Sequence, residues 1–232
     1  MDSVDVVTFN SDHTHLITGS RDRTAKVWRT TDGGLVATLP HSWNITAGAL
    51  TKNGEFAITG AEDGSIHLWQ VDTGSRIAVL GQHGERGSVA TLTLDPSETF
   101  VVSTSSDGEV RAWNLESETV AWRIGHTERA DGIHFHPTDD VLLSYSEDGT
   151  CQIWDLSTGT SGKIISGGEA AQSWCEWTPD GAGVVFSPFD GSIELHALDD
   201  MPPIRADALE APIIDVAVAK DREAIAAASV NN

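Results

Sequence analysis

Basic residues are scarce in this 232-residue chain: 14 Lys and Arg stand against 35 Asp and Glu, for a net charge of −21. Lys26, Lys52, Lys163 and Lys220 are the only lysines. A polyanion is repelled by such a surface unless its cations cluster, and here they do not, so nucleic acid is excluded as a partner. An anionic membrane surface is excluded on the same ground. Long apolar runs are also missing, although 39% of residues are hydrophobic, so no membrane helix is expected. Met1 leads into Asp2 and Asp5 rather than a charged-then-apolar leader, which makes the cytoplasm the expected location. An acidic, Lys-poor surface suits either a saline environment or plain solubility. Cysteine is limited to Cys151 and Cys175, too few for a disulfide framework or a metal site, and Cys151 reads as a small core residue.

What the chain does have is a beat. Trp28, Trp69, Trp113 and Trp154 recur at intervals of 41, 44 and 41, each six residues after an aspartate: Asp22, Asp63, Asp107 and Asp148. Asp190 keeps time at 42, but His196 stands in the tryptophan's place. A period of this length indicates a repeat architecture in which each unit is one supersecondary element. In residues 126–166, "ADGIHF", "VLLSYS", "TCQIWDL" and "KIIS" read as four short strands, bounded by "HPTDD", "EDG" and "STGTSG". Asp-Gly recurs at 63–64, 107–108, 148–149 and 190–191, where glycine suits the positive φ of a hairpin turn. Four antiparallel strands per unit, repeated, predict an all-β fold of β-propeller blades. The expected blades are 1–40, 41–82, 83–125, 126–167, 168–208 and a partial 209–232.

Further positions keep the same time. Ten residues before each tryptophan lies a hydroxyl: Thr18, Thr59, Ser103 and Ser144. His41 and His126 lie 28 before Trp69 and Trp154, and His83 lies 30 before Trp113. With these residues the chain resembles the WD-repeat (WD40) propeller family over nearly its whole length. The resemblance implies a buried hydrogen-bonded chain in each blade, here Trp154 to Ser144 to His126 to Asp148. Donor-only indole and acceptor-only carboxylate need such relays between them. The sets are His41, Thr59, Asp63, Trp69; His83, Ser103, Asp107, Trp113; and His126, Ser144, Asp148, Trp154. Thr18, Asp22 and Trp28 form a partial set without its histidine. In the fifth unit Phe186 and Gly168 occupy the hydroxyl and histidine positions, so the network is expected to be dissolved there.

Ser, His and Asp also compose a nucleophilic triad, but a constellation present three times, with its hydroxyl tied to tryptophan, is structural. His134 and His136 share one strand face as a conceivable metal clip, yet no third ligand is apparent, and strand-to-turn packing is preferred; His13 and His15 read the same way. No metal, cofactor or catalytic residue is therefore assigned. Trp122 and Trp177 read as packing residues; Trp43, in the loop after His41 beside the expected binding rim, reads first as ordinary loop packing, with a partner anchor as the alternative.

The family resemblance implies seven blades, so five and a half here suggest a fragment of a longer ring; a shorter ring or an arc completed by another chain remain alternatives. Open sheet edges then favour self-association. The resemblance further implies a loop-lined top face that recruits peptides or protein domains. By position that face comprises Arg21, Glu62, Ser106, Glu147 and Phe189 before the turn aspartates. Ser3, Asp5, Asn44, Thr46, Ser88, Arg129, Asp131 and Ser173 join it at the inner strands. Its acids favour a basic partner. A non-catalytic protein-interaction scaffold is the leading reading, and the regulatory or sensory propeller of a larger enzyme is the alternative.

Overall fold

A computed structural model of the chain describes residues 2–84, 87–166, 173–188, 190, 192–198, 202–207, 213–218 and 225–229, with the backbone alone at 173, 207, 213–218 and 225–229. Phe189, Gly168 and the side chain of Ser173 lie outside what is described. Every regular element among the described residues is a strand, and no helix is long and apolar enough to cross a membrane.

The strands form five four-stranded antiparallel sheets, each in plain sequence order, plus a two-stranded sixth. The first sheet runs β1 (Val4–Phe9), β2 (His15–Ser20), β3 (Thr24–Arg29), β4 (Leu35–Pro40); the second β5 (Ile45–Leu50), β6 (Phe56–Ala61), β7 (Ser65–Gln70), β8 (Ser75–Gln82). The third comprises β9 (Val89–Leu94), β10 (Phe100–Ser105), β11 (Glu109–Asn114) and β12 (Thr119–Gly125). These three make one compact unit, residues 1–125. The second unit, 126–232, holds the remaining sheets. They are β13 (Ala130–Phe135), β14 (Val141–Ser146), β15 (Thr150–Asp155), β16 (Ser161–Ser166); β17 (Ser173–Trp177), β18 (Gly183–Pro188), β19 (Ser192–Ala197), β20 (Ile204–Asp207); and β21 (Ile213–Val218), β22 (Ile225–Ser229). This is the expected all-β fold of five blades and about half of a sixth. The fourth strand of blade four starts at Ser161, two residues before the sequence reading.

Period-2 alternation gives each sheet an apolar face to bury against its neighbour within the same unit. In the first unit Ile17, Val27 and Leu39 of blade one pack with Ile45, Leu50 and Trp69 of blade two. Ile58, Ile66 and Leu80 then pack with Val89, Val101 and Trp113 of blade three. Gly19 and Gly60 make room for this stacking, since a Cβ there would lie 2.6 Å from Ile45 or Val89. The tryptophan leaves its mark on the backbone. In blades one to four the third-to-fourth strand pairing slips beside it, between Val27 and Trp28, Leu68 and Trp69, Ala112 and Trp113, and Gln152 and Trp154. In blade five, with His196 instead, the β19–β20 pairing runs from Ser192–Asp207 to Leu195–Ile204 and stops before His196. A bulge of this kind re-aims a side chain.

The turns behave as their chemistry requires. Gly64, Gly108 and Gly149 have φ of 84°, 84° and 79° after their aspartates, and in blade one Arg23 takes φ 66° in the same place. One expectation fails. Cys151 and Cys175 form a disulfide, with Cα atoms 6.6 Å apart and both residues fully buried. Counting two cysteines 24 residues apart gave no hint of it. The third strand of blade four and the first strand of blade five are brought together by blade stacking, which spacing along the chain does not display.

Candidate interaction face and its buried network

The repeated polar residues meet at one end of each sheet, but not identically. In blade four the indole Nε1 of Trp154 donates to Ser144 Oγ at 2.8 Å, Ser144 Oγ lies 2.7 Å from His126 Nε2, and His126 Nδ1 lies 3.1 Å from Asp148 Oδ2. With Nδ1 protonated and donating to the carboxylate, Nε2 accepts from the serine, and every group is satisfied. In blade two Trp69 donates to Thr59 Oγ1 at 2.8 Å, and Thr59 lies 2.9 Å from His41 Nε2. There the chain ends: among the described residues His41 Nδ1 has no partner, and the Asp63 carboxylate accepts only from Ser65. Instead His41 stacks on His67 with ring centroids 4.7 Å apart and planes within 7°. Blade three repeats the first two links, Trp113 to Ser103 at 2.8 Å and Ser103 to His83 Nε2 at 2.7 Å. His83 Nδ1 then stands 3.6 Å from Asp107 Oδ1, too far for a hydrogen bond, and has no other partner among the described residues. Blade one has the Trp28–Thr18 bond at 2.9 Å. Of three sets read as equal, one is closed.

Burial sets the protonation of these rings. It holds His41 down to about 3, helped by the neighbouring His67. Burial likewise holds His67 and His83 down to about 4, opposed at His83 by the charge of Asp107. His126 is lowered by burial too, with Asp148 opposing. Neutral imidazoles are therefore the state at pH 7.

The aspartates have a second task that the sequence reading missed. Asp22, Asp63, Asp148 and Asp190 each accept, through Oδ1, the backbone N–H and the hydroxyl of the residue two further on. The hydroxyl bond is 2.6 Å in all four, from Thr24, Ser65, Thr150 and Ser192. These bonds hold the Asp22 and Asp190 carboxyls below their ordinary value. Asp107 differs: Glu109 stands where the hydroxyl should be and supplies only its backbone N–H, at 3.0 Å. At the opposite end another series keeps the beat. Asn10, Thr51, Asp95 and Thr178 each accept the N–H of the residue five further on, and His136 accepts that of Asp139, three further on, all within the first turn of their blade. Their spacing of 41, 44, 41 and 42 matches that of the aspartates, but varied residue types conceal it.

The histidines weighed as a metal clip are otherwise engaged. His136 Nε2 donates to Gly181 O at 2.9 Å while its Nδ1 accepts the Asp139 N–H, and His134 stacks on Tyr145. Trp177 is buried and donates to His134 O, and Trp122 is buried in β12. In blade five Phe186 packs edge-on against His196, and another polar chain replaces the tetrad: His196 Nε2 is hydrogen-bonded to Glu194, and Arg205 forms ion pairs with Glu194 and Asp190.

The positions assigned to the face are locked in register by one backbone bond per blade. The N–H groups of Arg21, Glu62, Ser106 and Glu147 donate to the carbonyls of Ser3, Asn44, Ser88 and Arg129 at 2.9 to 3.1 Å. Around these bonds the side chains form short pairs: Arg21 with Asp5 at 2.7 Å, Asn44 with Glu62 at 2.9 Å, Arg129 with Asp131 at 2.7 Å. Thr46 Oγ1 turns to Gly60 O at 3.4 Å. Burial, with Glu147 nearby, raises the Asp131 carboxyl above its ordinary value, opposed by Arg129. Both arginines of this set pair with other acids; Arg21 also feels the charge of Glu62, but neither Glu62 nor Glu147 forms an ion pair among the described residues. Trp43, next to Asn44, is 53% exposed.

The chain is 24% identical over 127 residues to the Target of rapamycin complex subunit LST8 of Saccharomyces cerevisiae, covering 55% of this chain and 42% of that protein. It is 34% identical over 110 residues to the Sterol regulatory element-binding protein cleavage-activating protein of Xenopus laevis, covering 47% and 8%. It thus spans less than half of either relative. The crystal structure of the computationally designed Ika8 protein superposes with a TM-score of 0.81 at 21% identity, over 98% of this chain and 68% of that one. The WD domain, G-beta repeat model matches at residues 2–29, 33–70, 74–114 and 119–155, the four stretches that end at or just after the repeating tryptophans, and on that match the chain belongs to the WD-repeat family.

Proposed function

We propose that this chain is a non-catalytic protein-interaction module whose units each offer a peptide or protein domain the loop ends of their own sheets: those bearing Arg21, Asn44, Thr46, Glu62, Ser88 and Ser106 in residues 1–125, and those bearing Arg129, Asp131 and Glu147 in residues 126–232. The observation that carries the reading is the acidic charge left over at these ends within each unit. Arg21 and Arg129 are paired with Asp5 and Asp131, while Glu62 and Glu147 form no ion pair among the described residues. An exposed aromatic, Trp43, stands beside Glu62's partner Asn44 and can fill a pocket or cover an aliphatic stem on a basic partner. The relative named as a complex subunit supports a role in assembly, and repetition of the Ser-His-Asp set inside blades argues against catalysis.

The test is capture from the source cells with wild-type chain and with Glu62→Lys/Glu147→Lys, whose folding is checked by circular dichroism. Loss of the captured partner by the folded variant supports the assignment; unchanged capture refutes it. The relative of which this chain spans only 8% favours a second reading, a regulatory propeller within a larger protein. It differs in placing the partner on the same polypeptide, as the sequence beyond both ends would reveal.

We also propose that the chain self-associates. Val4 and Phe9 are 57% and 51% exposed, whereas Ile45 and Val89, which occupy Val4's position in blades two and three, are 1% exposed against the preceding blade. Val4→Asp/Phe9→Asp should shift the species seen by light scattering toward monomer; a wild-type chain that is already monomeric refutes this.

A further inference from the structure

Position 109 breaks a rule that four other blades keep. Thr24, Ser65, Thr150 and Ser192 each return a hydroxyl to their turn aspartate at 2.6 Å, whereas Glu109 brings a second carboxylate to Asp107. Beside it lies His83, 2% exposed, whose Nδ1 has no hydrogen-bond partner among the described residues and points toward Asp107 Oδ1 at 3.6 Å. One ligand atom from each of His83, Asp107 and Glu109 falls within 4.8 Å of the others. We propose that these three residues bind a divalent transition-metal cation of the size and softness of Zn²⁺.

The donor set is one imidazole nitrogen and two carboxylate oxygens, a combination that zinc accepts. At a tetrahedral centre, bonds of about 2.0–2.2 Å hold ligand atoms about 3.3–3.6 Å apart, which the His83–Asp107 separation already matches. The second shell is also in place. His83 Nε2 is hydrogen-bonded to Ser103 Oγ at 2.7 Å, and the same oxygen accepts the Trp113 indole N–H. With that Nε2 as the protonated nitrogen, Nδ1 presents its lone pair to the cation and the ring is fixed in orientation. Asp107 is oriented by the N–H groups of Gly84 and Glu109. Arg111 opposes binding by its charge, but it holds Glu109 through Oε2, leaving Oε1 for a metal.

The other histidine sets do not offer this. His126 Nδ1 is already engaged with Asp148. The lone pairs of His41 and His67 lie in parallel stacked rings and do not converge.

The experiment is calorimetric titration of the EDTA-treated, dialysed full chain with ZnCl₂, followed by long-range ¹H–¹⁵N spectra of the imidazoles. The decisive variant is Glu109→Thr, which restores the hydroxyl of blades one and four and should fold at least as well as the parent. One Zn²⁺ per chain, a metal-induced shift confined to His83 Nδ1, and binding weakened by more than about tenfold in the variant are expected. No saturable binding overturns the proposal. So does binding that Glu109→Thr leaves unchanged or that moves another histidine.

Discussion

The sharpest consequence of the geometry is that Asp63 and Asp148, equivalent by position, should not cost the same when lost. Both cap their turns through Oδ1, and Asp→Ala removes that cap in either blade. Asp148 additionally accepts His126 Nδ1 at 3.1 Å and the Thr127 N–H at 3.0 Å through Oδ2, bonds with no counterpart at Asp63. A hydrogen bond to a charged group contributes about 1.5–3 kcal/mol, and a buried donor left without its acceptor costs about 1–3 kcal/mol. These describe overlapping losses, so Asp148→Ala should destabilise by roughly 2–3 kcal/mol more than Asp63→Ala. Urea unfolding followed by tryptophan fluorescence measures the difference, with Trp154 buried beside the altered set. A His126→Ala/Asp148→Ala cycle should return a coupling of about 1–2 kcal/mol, and the His41/Asp63 cycle a value near zero. Equal losses in the two blades would refute the reasoning and restore three equivalent networks.

The buried histidines set an acid limit. Folded-state values for His67 and His83 near 4 lie below the ordinary 6.5, so the unfolded chain takes up protons first as pH falls. The stability they confer is complete above about pH 6.5 and is lost down to about pH 4, by roughly 2 kcal/mol in all at pH 5.5 after allowing for solvent screening. Denaturant midpoints across pH 7.5 to 5 check this, and a flat profile contradicts it. The Cys151–Cys175 bond gives a third prediction. A link closing 24 residues contributes about 3 kcal/mol, so reduction should lower the unfolding midpoint. Thiol titration of the unfolded, unreduced chain should find no free cysteine. Two free thiols would instead fit the reducing cytoplasm expected from the sequence.

The fold was legible because its period was written in residues that cannot easily be exchanged. Asp-Gly turns need a carboxylate and a positive φ, and an indole in a strand needs a hydroxyl ten residues back, so Trp28, Trp69, Trp113 and Trp154 exposed the blades. The state of each network was not legible. His41, His83 and His126 look alike along the chain, yet one ring turns to its aspartate, one stacks on His67, and one stops short beside Glu109. Ring orientation depends on neighbours across the sheet. The disulfide and the turn-closing series at Asn10, Thr51, Asp95, His136 and Thr178 escaped for related reasons. The first joins strands of stacked blades, and the second preserves a function while changing its residue type.

Site-specific photocrosslinking tests the proposed binding face most directly. A photoreactive residue at Ser106 or Thr46 lies at the end that carries Glu62, and one at Asn53 or Ser97 lies at the opposite turns. Crosslinks to a partner from the first pair and none from the second are predicted. Adducts from the second pair alone would contradict the account.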